Sequence, residues 1–327
     1  MDTRPAPVLD RRLAIDAVSV TERAAVAAAR WRGRGDEPAA DEAAIQGAHR
    51  ELLRAALSGC IVMGEGGQGE TERLHVGEAV GTGGIEVDIA IDALEGTTLC
   101  AKNMAGSISV IVLAEPGSLL QVPAVYMEKV AIGPGYPPGT VSLSVTPEAN
   151  IKAVADARGV SPSEITALVL DRPRHGALIE AIRATGASVQ FITDGDVAGI
   201  IHTTNPQASG VDIYLGSGGA AEGVLAAAAL RCLGGQMEGR LILDSDAKRK
   251  QAKALGIKDM SAIYGLADMV RGDCLMAISG VTDGPLLSGV RLLRDSVETH
   301  TLLMRAATGT VRRISSTHRD LGRFVSE

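Results

Sequence analysis

The 327-residue sequence predicts an α/β fold, and three of its features carry that expectation. Glycines number 39 and many of them close apolar runs, where a chain leaving a strand must turn tightly into a helix. Beyond Pro147, helical periodicity alternates with short apolar runs, the pattern of β-α-β units around a parallel sheet. Hydrophobic residues make up 46% of the chain and aromatics only 2%, so Ala, Val, Ile and Leu must fill a core large enough for one big domain or two moderate ones.

The elements follow in order. Residues 12–31 read as a helix, with Leu13, Ala17, Ala24 and Ala28 near one face. A glycine-rich loop at 33–38 interrupts it, and a second helix is expected from near Asp41 through Ile45, Leu52 and Leu53 towards Leu57, with acids in its first turn. Strands are expected at 60–63, 87–91, 108–113, 125–132 and 141–145. After Pro147 come a helix at 148–158, a strand at 167–170, a helix at 175–185, a strand at 189–192, a strand at 211–215 and a helix at 219–230. A charged helix at 245–255 and late strands at 274–279 and 310–314 complete the chain. This order predicts two domains, residues 1–145 and 146–327, with the late strands free to return to either sheet.

A net charge of −7 leaves no basic face to neutralise a phosphate backbone, which disfavours nucleic acid and anionic membranes as partners. Residues 1–12 lack the apolar segment of a signal peptide, and the alanine-rich run 224–230 is far too short to span a bilayer. Cys60, Cys100, Cys232 and Cys274 form no C-x-x-C pair. They read as buried thiols in a reducing cytoplasm.

The most informative stretch is 87–98. An apolar strand runs into Asp92, Glu95, Gly96, Thr97 and Thr98. Two carboxylates across a tight turn can converge on divalent cations, and the backbone N–H groups of Gly96 and Thr97 at a helix start can hold a phosphate oxygen. The same residues also fit an ordinary helix-capping turn. Glu65 follows another apolar run between Gly64 and Gly66, where a simple turn is the competing reading. Glu222 follows the glycine-rich stretch 216–219 at a helix start, where an acid also compensates the helix dipole. Three strand-end acids with flanking glycines in one chain favour a metal-assisted phosphate site over three unrelated turns.

Six motifs then occur in a telling order: Val62-Met63-Gly64-Glu65-Gly66, Ile91-Asp92-Ala93-Leu94-Glu95-Gly96-Thr97, Pro123-Ala124-Val125-Tyr126-Met127-Glu128-Lys129, Arg172-Pro173-Arg174-His175, Asp194-Gly195-Asp196 and Gly218-Gly219-Ala220-Ala221-Glu222-Gly223. Together they resemble the class II fructose-1,6-bisphosphatases, relatives of the inositol monophosphatases, over about 12–313. The resemblance implies a layered αβαβα sandwich. It implies Mg²⁺ or Mn²⁺ held by Asp41, Glu65, Asp92, Glu95 and Glu222, and a catalytic Thr97 paired with Asp41. It also implies sugar-phosphate contacts from Glu95, Gly96, Thr97, Tyr126, Arg172, Pro173, Arg174, Asp194, Gly195, Asp196 and Gly219. Arginine forks at 172 and 174 suit a second, non-reacting phosphate, and Asp194 and Asp196 suit sugar hydroxyls.

The implied activity is hydrolysis of fructose 1,6-bisphosphate to fructose 6-phosphate by a cytoplasmic homodimer or homotetramer. A phosphatase for another sugar bisphosphate, such as sedoheptulose 1,7-bisphosphate, and a non-catalytic sugar-phosphate-binding homologue are the alternatives. The sequence departs from the family pattern at four places. Ala93 and Ala221 stand where the family has prolines, Gly69 where it has a catalytically important aspartate, and Glu37 where it has a lysine.

Overall fold

The structure, a computed structural model, describes residues 9–67 and 69–324, so most of the stretch 1–12 that was read for a signal peptide lies outside the described residues. The chain divides into two compact units. The first comprises the residues up to Leu119 and those from Arg271 on, and the second spans Leu120–Val270.

The first unit opens with α1 (Leu13–Ala29) and α2 (Glu37–Leu52), followed by β1 (Leu57–Met63), β2 (Ala79–Val80), β3 (Ile85–Glu95), α3 (Thr97–Ala101) and β4 (Ile108–Ala114). Asp36 sets the start of α2, because its Oδ1 accepts from Ala39 N at 3.0 Å and Pro38 is tolerated in the first turn. The helix therefore begins before Asp41 rather than at it, and it stops at Leu52 because Leu57 is already committed to β1, paired with Ile85. Small residues let α1 and α2 approach closely. Ala24, Ala28, Ala44 and Ala48 are fully buried, and a Cβ on Gly47 would stand 2.9 Å from the Arg23 carbonyl.

In the second unit come β5 (Tyr126–Ile132), α4 (Pro147–Arg158), β6 (Thr166–Leu170), α5 (Gly176–Ala184), β7 (Ser188–Ile192), α6 (Asp196–His202) and α7 (Pro206–Ser209). Then follow β8 (Ile213–Gly219), α8 (Ala220–Leu233), β9 (Gln236–Leu241), α9 (Asp246–Ala254), β10 (Ile263–Gly265) and α10 (Leu266–Met269). The chain returns to the first unit with β11 (Cys274–Gly280), β12 (Arg291–Leu292), β13 (Val297–Arg305) and β14 (Thr310–His318).

Each unit is built on one mixed sheet, which makes the fold α/β as expected. The first has the order β12-β13-β11-β4-β3-β1-β2, with β14 added to β13. Its interior strand β3 lies parallel to β1 and antiparallel to β4, and it is buried over most of its length, as a near-continuous apolar run requires. The late strands join this sheet, because β11 pairs with β4 and so carries the chain's end back to its beginning.

The second sheet has the order β10-β9-β5-β8-β6-β7, in which β6 is parallel to β7 and β8 while β5, β9 and β10 are antiparallel neighbours. Period-two alternation along β5 gives it two faces. Val130 and Ile132 join the cluster that includes Ile151, Val154 and Ile182 of α4 and α5, while Met127 and Lys129 meet Gly223 of α8. Strand β5, expected in a domain ending at residue 145, belongs instead with β8 and β9, so the division falls before it.

The segment 141–145 is not a strand. Its backbone is satisfied by side chains instead: Asn150 Oδ1 accepts from Ser142 N at 2.8 Å, and Glu238 Oε2 accepts from Leu143 N at 2.8 Å. Cys60 is exposed, unlike the three buried thiols Cys100, Cys232 and Cys274. Among the described residues no helix is long and apolar enough to cross a membrane.

Candidate active site

In the first unit the acids gather where β1 and β3 end. Gly64 closes β1 against a neighbouring loop so tightly that any Cβ would collide with the Leu74 carbonyl oxygen, and Glu65 N donates to that same oxygen at 3.0 Å. This fixes the backbone from which Glu65 reaches across to β3. Its Oε1 accepts from Ala93 N at 2.8 Å, which brings the acid onto the turn that carries Asp92 and Glu95. A proline at position 93 has no N–H to offer, so the alanine here supplies a bond that the family's usual residue cannot.

The turn itself is bulged. Asp92 pairs with Val110 and Glu95 with Ile108, so the register against β4 shifts between them, a device that re-aims side chains at a strand end. Asp92 Oδ1 accepts from Leu94 N at 3.1 Å, and Glu95 is buried. Gly96 then takes φ +80, a left-handed conformation suited to glycine, and Thr97 begins α3. That helix has only 5 residues, so its dipole is a small contributor.

Asp41 sits in α2, and burial, followed by the neighbouring Glu42 charge, pushes its carboxyl above the ordinary range. Helices α2 and α3 pack together, but no hydrogen bond joins Asp41 to Thr97. Among the described residues no three His, Cys, Asp or Glu side chains form a ready-made metal cluster. The donors brought towards the β3 turn are nonetheless all carboxylate oxygens, which fit a hard divalent cation and no soft one. Around the departures, Glu70 Oε2 accepts from Gly67 N at 2.7 Å and so caps its own turn, while Glu72 is exposed beside Arg73. Glu37 is the first residue of α2, on the same helix as Asp41.

In the second unit the expected substrate residues cluster at the carboxyl ends of β6, β7 and β8, where open α/β sheets place ligands, and at the start of β5. Tyr126 is 49% exposed, and the Arg174 guanidinium lies over its ring at 4.7 Å. Arg174 is further held by Ser217: Nε donates to Oγ at 3.0 Å and Nη2 to the carbonyl at 2.6 Å. His175 braces the same serine. Its Nε2 accepts from Ser217 N at 2.9 Å and its Nδ1 donates to the Leu170 carbonyl at 2.8 Å, which defines a neutral ring, and burial first of all lowers its pKa. Pro173 starts the short 3-10 turn between the two arginines and His175, and Arg172 faces Asp194 at 3.8 Å.

Gly195, at φ +81, caps α6 and turns Asp196 inward. Asp196, expected at sugar hydroxyls, is only 5% exposed, and its Oδ2 accepts from Lys129 Nζ at 2.5 Å and from the Tyr214 hydroxyl at 3.3 Å. That oxygen therefore has a structural partner instead. Glu222 lies in the first turn of α8 beside Gly219, whose missing Cβ leaves room for its carboxylate. Burial raises its pKa, and the Lys129 charge opposes that rise.

Lys129, Ser217, His175 and Tyr214 also contribute to this corner, although none of them was expected at the site. A signal for Lys129 existed: it shares a strand face with the apolar Met127 and Ala131, where a lone cation demands a buried partner. Ser217 carried none beyond its place in a glycine-rich turn.

The chain matches, over residues 11–318, the family described as "Bacterial fructose-1,6-bisphosphatase, glpX-encoded". It is 37% identical over 336 residues to the "D-fructose 1,6-bisphosphatase class 2/sedoheptulose 1,7-bisphosphatase" of Synechococcus sp. (strain JA-3-3Ab), covering 95% of this chain and 96% of that one. It is 41% identical over 323 residues to the "Fructose-1,6-bisphosphatase 1 class 2" of Escherichia coli (strain K12), covering 94% and 95%. With matches that run nearly from end to end, the chain belongs to the glpX-encoded, class II fructose-1,6-bisphosphatase family.

Proposed function

We propose that this protein is a metal-dependent phosphoric monoester hydrolase that releases phosphate from fructose 1,6-bisphosphate, leaving fructose 6-phosphate. One observation carries the assignment of the site. The bond from Ala93 N to Glu65 Oε1, at 2.8 Å, ties the acid beyond β1 to the turn bearing Asp92 and Glu95. Asp41, Glu65, Asp92, Glu95 and Glu222 are the residues that would hold Mg²⁺ or Mn²⁺. When bound, such a cation supplies Lewis-acid charge to a phosphoryl oxygen and acidifies water.

The chain's own residues do the rest. The Gly96 and Thr97 backbone donors orient the scissile phosphate, and the Thr97 hydroxyl orients the attacking water, with Asp41 as the acceptor for its proton. The Arg172-Pro173-Arg174 stretch grips the second phosphate with guanidinium forks, supported by Tyr126. Asp194, Gly195 and Gly219 take the sugar, and Asp196 serves them through Lys129. A role in a reducing cytoplasm, as a homodimer or homotetramer, completes the reading; it rests on the lack of a C-x-x-C pair in the sequence and on the family resemblance.

The Synechococcus relative is named for sedoheptulose 1,7-bisphosphate as well, which makes that sugar the second substrate to assay. Phosphate release is measured from both bisphosphates and from sugar monophosphates, with Mg²⁺ and with Mn²⁺, for the wild type and Glu65→Gln. We expect metal-dependent release from fructose 1,6-bisphosphate and its near abolition in the variant. Release untouched by Glu65→Gln would remove Glu65 from the site, and no release from any sugar phosphate would favour a binding protein.

A further inference from the structure

The first unit holds a cavity of 280 Å³ beside the α1–α2 contact, and its wall is unusually rich in positive charge. Arg23 of α1, Arg30 just after that helix and Arg50 of α2 line it, together with Trp31 and Phe324. The small residues that let the two helices approach leave these long side chains to fill the rim. Arg23 is the telling member. It is 6% exposed, and its ionic partner among the described residues, Glu51, stands 3.6 Å away, beyond hydrogen-bond distance. Glu51 is also shared with Arg323, at 3.8 Å.

The Arg23 guanidinium brings five donors to the cavity wall and forms no hydrogen bond among the described residues. Burial lowers the pKa of Arg23, and the like charges of Arg54, Arg323 and Arg50 add to that effect while Glu51 opposes it. Negative charge is therefore in short supply around it. Glu42, the carboxylate in the cavity wall, is already engaged, since its Oε1 accepts from Gln46 Nε2 at 2.6 Å and from Arg73 Nη1 at 3.1 Å.

We propose that this cavity is a second ligand site, which binds a small metabolite bearing a dianionic phosphate ester between Arg23, Arg30 and Arg50. Guanidinium forks match phosphate oxygens, and the ligand would supply Arg23 with the acceptor it lacks. The volume suits a phosphate with a few carbon atoms, and Trp31, Phe324 and the alanines offer those carbons an apolar wall. The site would also speak to α2, the helix that carries Asp41. Its existence does not depend on the phosphatase reading.

Trp31 makes the test selective, because it is the sole tryptophan of the chain. The emission of the full-length protein is titrated with glycerol 3-phosphate, with inorganic phosphate and with acetate. We expect saturable change with glycerol 3-phosphate, a weaker response to phosphate and none to acetate. Arg23→Gln and the exposed-side variant Arg30→Gln should each raise the apparent dissociation constant at least fivefold, whereas Thr97→Ala, which alters only the proposed catalytic residue, should not. Arg30→Gln keeps the test valid where Arg23→Gln fails to fold. Unchanged emission, equal constants in the arginine variants, or a response to inorganic phosphate without one to glycerol 3-phosphate would overturn the proposal.

Discussion

Lys129 and Asp196 form a buried ion pair in the second unit, Nζ to Oδ2 at 2.5 Å, with the lysine side chain 0% and the aspartate 5% exposed. The pair links β5 to the first residue of α6, and the Lys129 charge also acts on Glu222 of α8. Removing one partner leaves the other charge buried and unmatched, which costs about 3–5 kcal/mol. Lys129→Met should therefore lower the urea midpoint sharply, whereas Lys129→Met combined with Asp196→Leu should recover much of the loss. Additive losses in the double variant would mean that the two residues act separately.

Ser217 offers Arg174 two acceptors, its hydroxyl and its carbonyl, and a substitution can remove only the first. Ser217→Ala should cost roughly 1 kcal/mol of Arg174 orientation. If Arg174 grips the phosphate that does not react, this is uniform binding, so KM should rise several-fold while kcat stays within about twofold. A fall in kcat at constant KM would place Arg174 at the scissile phosphate instead.

Acid should loosen the same corner through His175. Its Nε2 accepts from Ser217 N, so a second ring proton breaks that bond, and burial first of all holds its pKa below the ordinary 6.5. The unfolded chain therefore takes up the proton first as pH falls. The stabilisation is whole above pH 6.5 and is lost as pH drops through the lowered folded value. Urea midpoints between about pH 7.5 and 5 should fall more steeply for the wild type than for His175→Gln.

Much of this architecture was legible in the sequence, and particular residues explain where it was not. The continuous apolar run of β3 and the alternation beyond Pro147 required no tertiary information, which is why the turn at Asp92 and the helices on either side were readable. Strand β9 was missed although Gln236, Glu238 and Arg240 alternate with Met237, Gly239 and Leu241, because Gly239 leaves its inward face a side chain short and its sheet position between β5 and β10 is a tertiary fact. The segment 141–145 has the apolar alternation of a strand, but Asn150 and Glu238 bind its backbone first. At the site, the family resemblance singled out Asp196 without its orientation. Only the left-handed Gly195 and the opposed Lys129 reveal that the carboxylate turns inward.

The thiols give a last prediction, because they differ in access. Cys60 is exposed, whereas Cys100 is buried, with its thiol pushed up from 9.0 to about 11 by burial. The thiolate is the reactive form, so at pH 8 a disulfide reagent should label Cys60 fast and leave Cys100 untouched until the chain unfolds. Cys60→Ser should abolish the fast phase. The raised pKa also carries a sign for stability. Because the folded value is the higher one, the contribution is whole below pH 9 and is lost as pH climbs towards about 11. Keeping the Cys100 thiol protonated over that range is worth roughly 2–3 kcal/mol, so the alkaline decline in the urea midpoint should shrink in Cys100→Ala. An identical decline in that variant would assign the alkaline transition to another group.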